Sequence, residues 1–144
     1  MSISKMFGMD KDAERDGIII DYGTFRVKIA RAGGNNKRFG TIFQSKMKPH
    51  RRQVETDTLA EDVATRVMAE AYAEAVILDM DVKQEDGSYV QGILVEEGET
   101  PTPYSKEAVT ALLIKYPEFF RDIQSQATQV SLFRSAELDE DTGN

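Results

Sequence analysis

Leu59–Val82, which reads LAEDVATRVM AEAYAEAVIL DMDV, is the stretch whose reading decides the fold. Leu59, Val63, Val67, Ala71, Ala75, Leu78 and Val82 recur three or four residues apart, the spacing of one apolar helix face. Glu61, Asp62, Glu70 and Glu74 populate the other faces, and Ala, Glu and Met, all strong helix formers, fill the remainder. Thr58 and Glu61 have the spacing of a capping box. The pattern predicts one long helix from Leu59 to Val82, and with it a mainly helical protein.

Upstream, Phe39, Ile42, Phe43 and Met47 keep helical spacing up to a stop at Pro49. Ala32–Asn36 (Ala-Gly-Gly-Asn-Asn) breaks the chain before that helix, and either asparagine is a suitable cap. Phe25, Val27 and Ile29 alternate with Arg26 and Lys28, the half-buried strand pattern. The isoleucine-rich stretch Gly17–Asp21 pairs with it through a turn at Tyr22-Gly23-Thr24, giving a β-hairpin. Residues 1–16 are polar and mixed in charge, and read as a flexible arm.

Downstream, Asp86-Gly87 marks a turn and Tyr89–Val95 has the composition of a further short strand. Gly98–Pro103 reads as an extended linker. Ser105 caps a helix carrying Val109, Leu112 and Leu113. Pro117 opens a last helix in which Phe119, Phe120, Ile123, Ala127, Val130 and Phe133 are spaced for burial. The expected architecture is mainly α (α+β): one helical domain over residues 17–136, an N-terminal hairpin, room for one further short strand, and an acidic tail at 137–144.

Composition narrows the chemistry. The 144 residues include no cysteine and one histidine, His50, which excludes disulfides, thiolate sites and His-rich metal sites. No apolar run approaches the roughly 18 residues that span a bilayer, and residues 1–11 lack a secretory signal's apolar core. Gly33, Gly34 and Gly40 near Lys37 and Arg38 fit neither phosphate-loop nor dinucleotide spacing. Asp79, Asp81, Glu85 and Asp86 lack calcium-loop spacing and read as an acidic, solvated helix end. Ser105 beside Lys106 has no matched base and reads as a cap. No catalytic residue, metal or cofactor is expected.

Net charge is −7, unevenly spread. Residues 1–57 hold twelve Lys/Arg against seven Asp/Glu, whereas residues 58–144 hold six against eighteen. Between Arg26 and Arg52 lie nine basic residues and no acidic one. Arg31, Lys37, Arg38, Lys46, Lys48, Arg51 and Arg52 in that segment are candidate contact residues, as are Phe119, Phe120 and Ile123 of the last helix. A solvated basic face, a protein-binding face and a nucleic-acid footprint all remain open, nucleic acid ranking last because the chain as a whole is acidic. The charge asymmetry favours self-association of copies.

Several segments in order resemble one family: Ile29-Ala30-Arg31-Ala32-Gly33, Asn35-Asn36-Lys37-Arg38-Phe39, Lys48-Pro49-His50-Arg51-Arg52, Ala69–Asp79, Pro103-Tyr104-Ser105-Lys106-Glu107-Ala108, and Pro117-Glu118-Phe119-Phe120. From Gly17 onward the layout is similar to the short, unextended tail assembly chaperones of long non-contractile-tailed bacteriophages. It departs from them at Met80, where the family often has an aromatic residue, and in the length of Tyr89–Glu99. The resemblance implies a non-enzymatic factor in the host cytoplasm, absent from the mature virion. Such a factor binds the tape measure protein, keeps it soluble and helps recruit tail tube (major tail) protein, the last through a frameshifted, extended form. The competing reading is a small structural virion protein, a tail or head-completion subunit. A nucleic-acid-binding regulator comes third.

Overall fold

The computed structural model describes residues 2–135. Two short helices open the chain, α1 Ile3–Phe7 and α2 Lys11–Asp16, each begun by a side-chain cap. Ser2 Oγ accepts from the Lys5 N–H and Asp10 Oδ1 from the Ala13 N–H. The segment expected as a flexible arm is anchored along its second half. The Asp10 N–H donates to the Phe133 carbonyl at 2.9 Å, the Ser135 N–H to the Gly8 carbonyl at 3.1 Å, and Glu14 is fully buried.

The hairpin forms as β1 Ile18–Asp21 and β2 Phe25–Ile29. Gly23, at φ 95°, takes the left-handed turn position, and the Tyr22 N–H closes the turn on the Phe25 carbonyl at 2.9 Å. After the glycine loop comes α3 Lys37–Met47, then a 3-10 turn over Lys48–His50 and α4 Arg51–Glu55. Pro49 does not stop the helical path. It sits in the first turn of the 3-10 segment, where its missing N–H costs nothing.

The long helix expected over Leu59–Val82 is not one element. Helix α5 spans Glu61–Ala75, and the chain then turns back as strand β3, Ile77–Lys83, followed by β4, Tyr89–Gln91. The sheet is four-stranded and antiparallel, in the order β1-β2-β3-β4. The fold is therefore α+β with a full sheet, and the expectation of a helical domain bearing a hairpin and one short strand is overturned. The cause lies in two overlapping periods. Leu78 and Val82 continue the helical spacing by coincidence, whereas Asp79, Met80, Asp81 and Val82 alternate polar and apolar at period two. The β-branched pair Val76-Ile77 disfavours another helical turn, and the Ala30 N–H bonds the Val76 carbonyl at 2.8 Å, drawing the chain onto the edge of β2. A bulge between Lys28 and Ile29 absorbs the extra residue, Leu78, so Val27 faces Met80 and Ile29 faces Ile77.

The expected capping box is also absent. Ala60 stands at the α5 N-cap without a side-chain hydrogen bond, and the Thr58 hydroxyl pairs with that of Thr56 instead. Ile93 and Thr102 exchange two backbone hydrogen bonds of 2.8 Å, closing the loop between them. Ser105 caps α6, Lys106–Lys115, by accepting from the Ala108 N–H at 3.0 Å. Pro117 starts α7, Pro117–Thr128, and a 3-10 turn over Val130–Phe133 follows. The acidic tail at 137–144 lies outside the described residues.

Helices pack on the sheet face that carries Val27, Ile29, Ile77 and Met80. Ala69, Tyr72, Ala73 and Val76 come from the α5 segment, Val109 and Leu113 from α6, and Phe120, Ile123 and Ala127 from α7. Burying each large aliphatic side chain stabilises the fold by about 1.5–3 kcal/mol. The alanines on α5 let the backbones approach closely, and Tyr72 is wedged edge-on between Phe39 and Phe120, each ring centroid 5.3 Å away.

Candidate partner-binding surface

The basic residues between Arg26 and Arg52 divide into those that hold the fold together and those that face outward. Arg31 and Lys46 belong to the first group. Arg31 lies in the glycine loop and reaches the buried carboxylate of Glu14, Nη1 to Oε2 3.4 Å. The same carboxylate accepts from the Asn35 N–H at 2.6 Å and from Asn35 Nδ2 at 3.0 Å. Burial pushes the Glu14 carboxyl up, but the two Asn35 hydrogen bonds and the Arg31 charge outweigh it and hold it below its ordinary value. Gly34 is required here. Its φ is +55°, and a Cβ would lie 2.2 Å from Glu14 Oε2.

Asn36 stands at the α3 N-cap, yet its side chain does not cap the helix. Its Nδ2 donates to the carbonyls of Arg31 and Ala75, each at 2.8 Å, so a buried amide fastens the glycine loop to the end of α5. Lys46 holds α3 to the C-terminal half of α5, its ammonium 2.9 Å from Glu74 and 3.2 Å from Glu70. The Glu74 hydrogen bond is the main cause of its raised pKa.

Lys37, Arg38, Lys48, Arg51 and Arg52 are exposed and, among the described residues, form no ion pair. They are spread along one arm, α3 followed by the 3-10 turn and α4. Between the two helices of that arm lies an open groove of about 740 Å³, lined by Phe43, Met47 and Val54, with Lys48 and Arg51 on its rim. Phe43 stacks on Phe39, ring centroids 6.1 Å apart, and Val54 is half exposed. Val54 was not among the sequence candidates, because α4 was hidden behind Pro49. Pro at the first position of a helical turn was the signal available for it.

The apolar candidates on α7 fall inward. Ile123 is fully buried and Phe120 nearly so, which closes both to a partner in this conformation. Phe119 is partly buried, edge-on to Tyr22 and Phe25 at 5.9 and 6.2 Å. Nearby, the Tyr22 hydroxyl donates to Asp122, tying the hairpin to α7.

The outer sheet face is charged and internally matched. Arg26 opposes Asp81, Lys28 opposes Asp79, and the Arg26 guanidinium lies 3.5 Å over the Tyr89 ring. Asp79 also accepts from Gln91 Nε2 at 2.8 Å. Beyond the sheet, the β3–β4 turn and the loop at 94–101 enclose an open cleft of about 770 Å³. Glu85, Asp86, Glu97 and Glu99 line it with Val90, Leu94 and Pro101, against one cation, Lys83.

Among the described residues no group of three acidic, histidine or cysteine side chains is placed to hold a metal, and no helix is long and apolar enough to cross a membrane. What the arrangement offers is contact chemistry: an apolar groove with a basic rim at one site and an acidic cleft with an aliphatic floor at another. The family model described as YdaY prophage protein matches residues 34–144, which take in the basic arm, helices α3 to α7 and strands β3 and β4. No curated protein and no solved structure matches the chain.

Proposed function

The chain belongs to the YdaY prophage protein family and is phage-derived, and from that premise we propose that it is a tail assembly chaperone. In this reading it covers the tape measure protein in the host cytoplasm, keeps it soluble, helps gather tail tube subunits around it, and leaves before the particle is complete. It uses no catalytic residue and no cofactor. Residues from Gly17 onward support the reading through their resemblance to the short tail assembly chaperones.

The observation that carries the proposal is the groove between α3 and α4. Phe43, Met47 and Val54 give it apolar side chains, Lys48 and Arg51 line it, and Lys37, Arg38 and Arg52 are exposed elsewhere on the same arm. A long helical client with exposed apolar side chains is matched by such a groove, as in other helix-in-groove contacts. Open geometry and a charged rim favour contacts that are individually weak and displaceable. Repeated along one client, they add up through avidity.

Co-expression with the tape measure protein of the same prophage tests it. The expected result is a soluble tape measure protein that elutes with many copies of this chain. An insoluble tape measure protein, with this chain eluting alone, overturns the proposal. Its recovery from purified particles would then mark it as a structural subunit.

A further inference from the structure

The basic arm and the acidic cleft are complementary in charge. On the arm, Lys48 and Arg51 line the groove with Val54, which is 50% exposed, and with one acid, Glu55; Arg52 is exposed on the same helix. In the cleft, Glu85, Glu97 and Glu99 surround Val90, which is 46% exposed. Both therefore have an aliphatic centre with a charged rim, the usual plan of a protein interface. Among the described residues none of these charged side chains makes an ion pair, although Lys46, Arg26 and Arg31 all do. The two linings share no residue.

We propose that these two surfaces dock on each other between copies of the chain, the basic arm of one seated against the acidic cleft of the next. The contact is heterologous, because each copy contributes a different surface, and each end of the row leaves one surface open for another copy. A polyanionic nucleic acid is the weaker occupant of the arm: the net charge of −7 opposes it, while the matching acidic surface is present on every copy. The proposal rests on the reading of the basic arm as a protein-contact surface, for which the next copy and the tape measure protein are alternative occupants. It requires no tail protein, so it is tested on the purified chain alone.

Sedimentation velocity on the full chain, on Arg51→Glu/Arg52→Glu, on Glu97→Lys/Glu99→Lys, and on an equal mixture of the two variants provides the test. All four positions are exposed, so folding is unaffected, and a thermal melt of each variant checks this. The wild type is expected to associate with rising concentration at about 0.1 M salt. It should dissociate toward monomer near 1 M, where the Debye length has fallen to about 3 Å. Each variant alone stays monomeric, since like charges now meet across the contact, and the mixture associates again. A wild type that is monomeric throughout, a single variant that associates as the wild type does, or a mixture that stays monomeric overturns the proposal. Any of these results leaves the co-expression experiment with the tape measure protein free to succeed or fail independently.

Discussion

Arg26 and Asp81 stand opposite each other across β2 and β3, and the guanidinium holds the carboxylate with two hydrogen bonds, Nε to Oδ1 at 3.0 Å and Nη2 to Oδ2 at 2.7 Å. This two-pronged geometry fixes register as well as charge, because a slip of one residue would place Arg26 beside an inward-facing neighbour. Asp81→Ala is expected to lower the thermal midpoint by a few degrees. Exchanging the pair, Arg26→Asp with Asp81→Arg, should recover part of that loss. An exchange no better than the sum of the single changes would show that the pair contributes nothing specific.

The same pair explains what could and could not be read in the sequence. The alternation of Phe25–Ile29 identified β2 directly, and Ser105 and Pro117 marked the starts of α6 and α7. Asp79 and Asp81 read as a solvated helix end because Leu78 and Val82 extended the face of Val67, Ala71 and Ala75. Only the partner strand distinguishes the two periods: opposite Lys28 and Arg26, the aspartates face basic residues across the strands, and Asp81 pairs with Arg26. Pairing between residues some fifty apart leaves no local mark, so the sheet was half visible. The basic segment was legible as charge, yet not its division into Arg31 and Lys46, which are spent inside the fold, and the outward five. That division depends on Glu14, Glu70 and Glu74, which only folding brings near.

Glu14 gives the fold a pH dependence of known sign. Its carboxyl lies below the ordinary value in the folded chain, so it contributes stability that is complete above its unfolded value and is lost as pH falls through the folded one. Glu14→Gln removes this contribution. Urea midpoints measured from neutral pH down to about pH 3 should separate wild type from variant most at the neutral end and converge at the acid end. A constant gap across that range would assign the effect to shape instead of charge.

Gly34→Ala tests the loop beside it. A side chain at φ +55° is strained, and its Cβ would fall 2.2 Å from Glu14 Oε2 and 2.5 Å from Arg31 Nη1. The cost is expected at about 1–3 kcal/mol. Gly33→Ala, also at positive φ but with nothing within 4 Å, should cost less, and the difference between the two melts isolates the clash.

Asn36→Ala leaves the carbonyls of Arg31 and Ala75 without the amide that bridges them at 2.8 Å. Because the site is buried, the loss is expected at about 1–3 kcal/mol in a denaturant titration. Asn36→Asp should be at least as damaging, since a carboxylate has no N–H to offer either carbonyl. Equal stability of Asn36→Asp and wild type would mean the bridge is dispensable.

The last prediction separates contact surface from core among the residues that helical spacing made candidates. Val54 lines the groove and is half exposed, so Val54→Asp should leave the melt nearly unchanged, within about 0.5 kcal/mol. If the groove takes the tape measure protein, the same change introduces a charge into an apolar contact and the yield of soluble complex falls severalfold. Phe120 is 6% exposed and packs on Tyr72, so Phe120→Ala should cost about 3–5 kcal/mol and reduce the yield only as far as it reduces the folded fraction. Yields normalised to folded protein therefore move in opposite ways: depressed for Val54→Asp, restored for Phe120→Ala. A normalised yield that is unchanged for Val54→Asp removes the groove from the contact, and one that stays low for Phe120→Ala returns α7 to it.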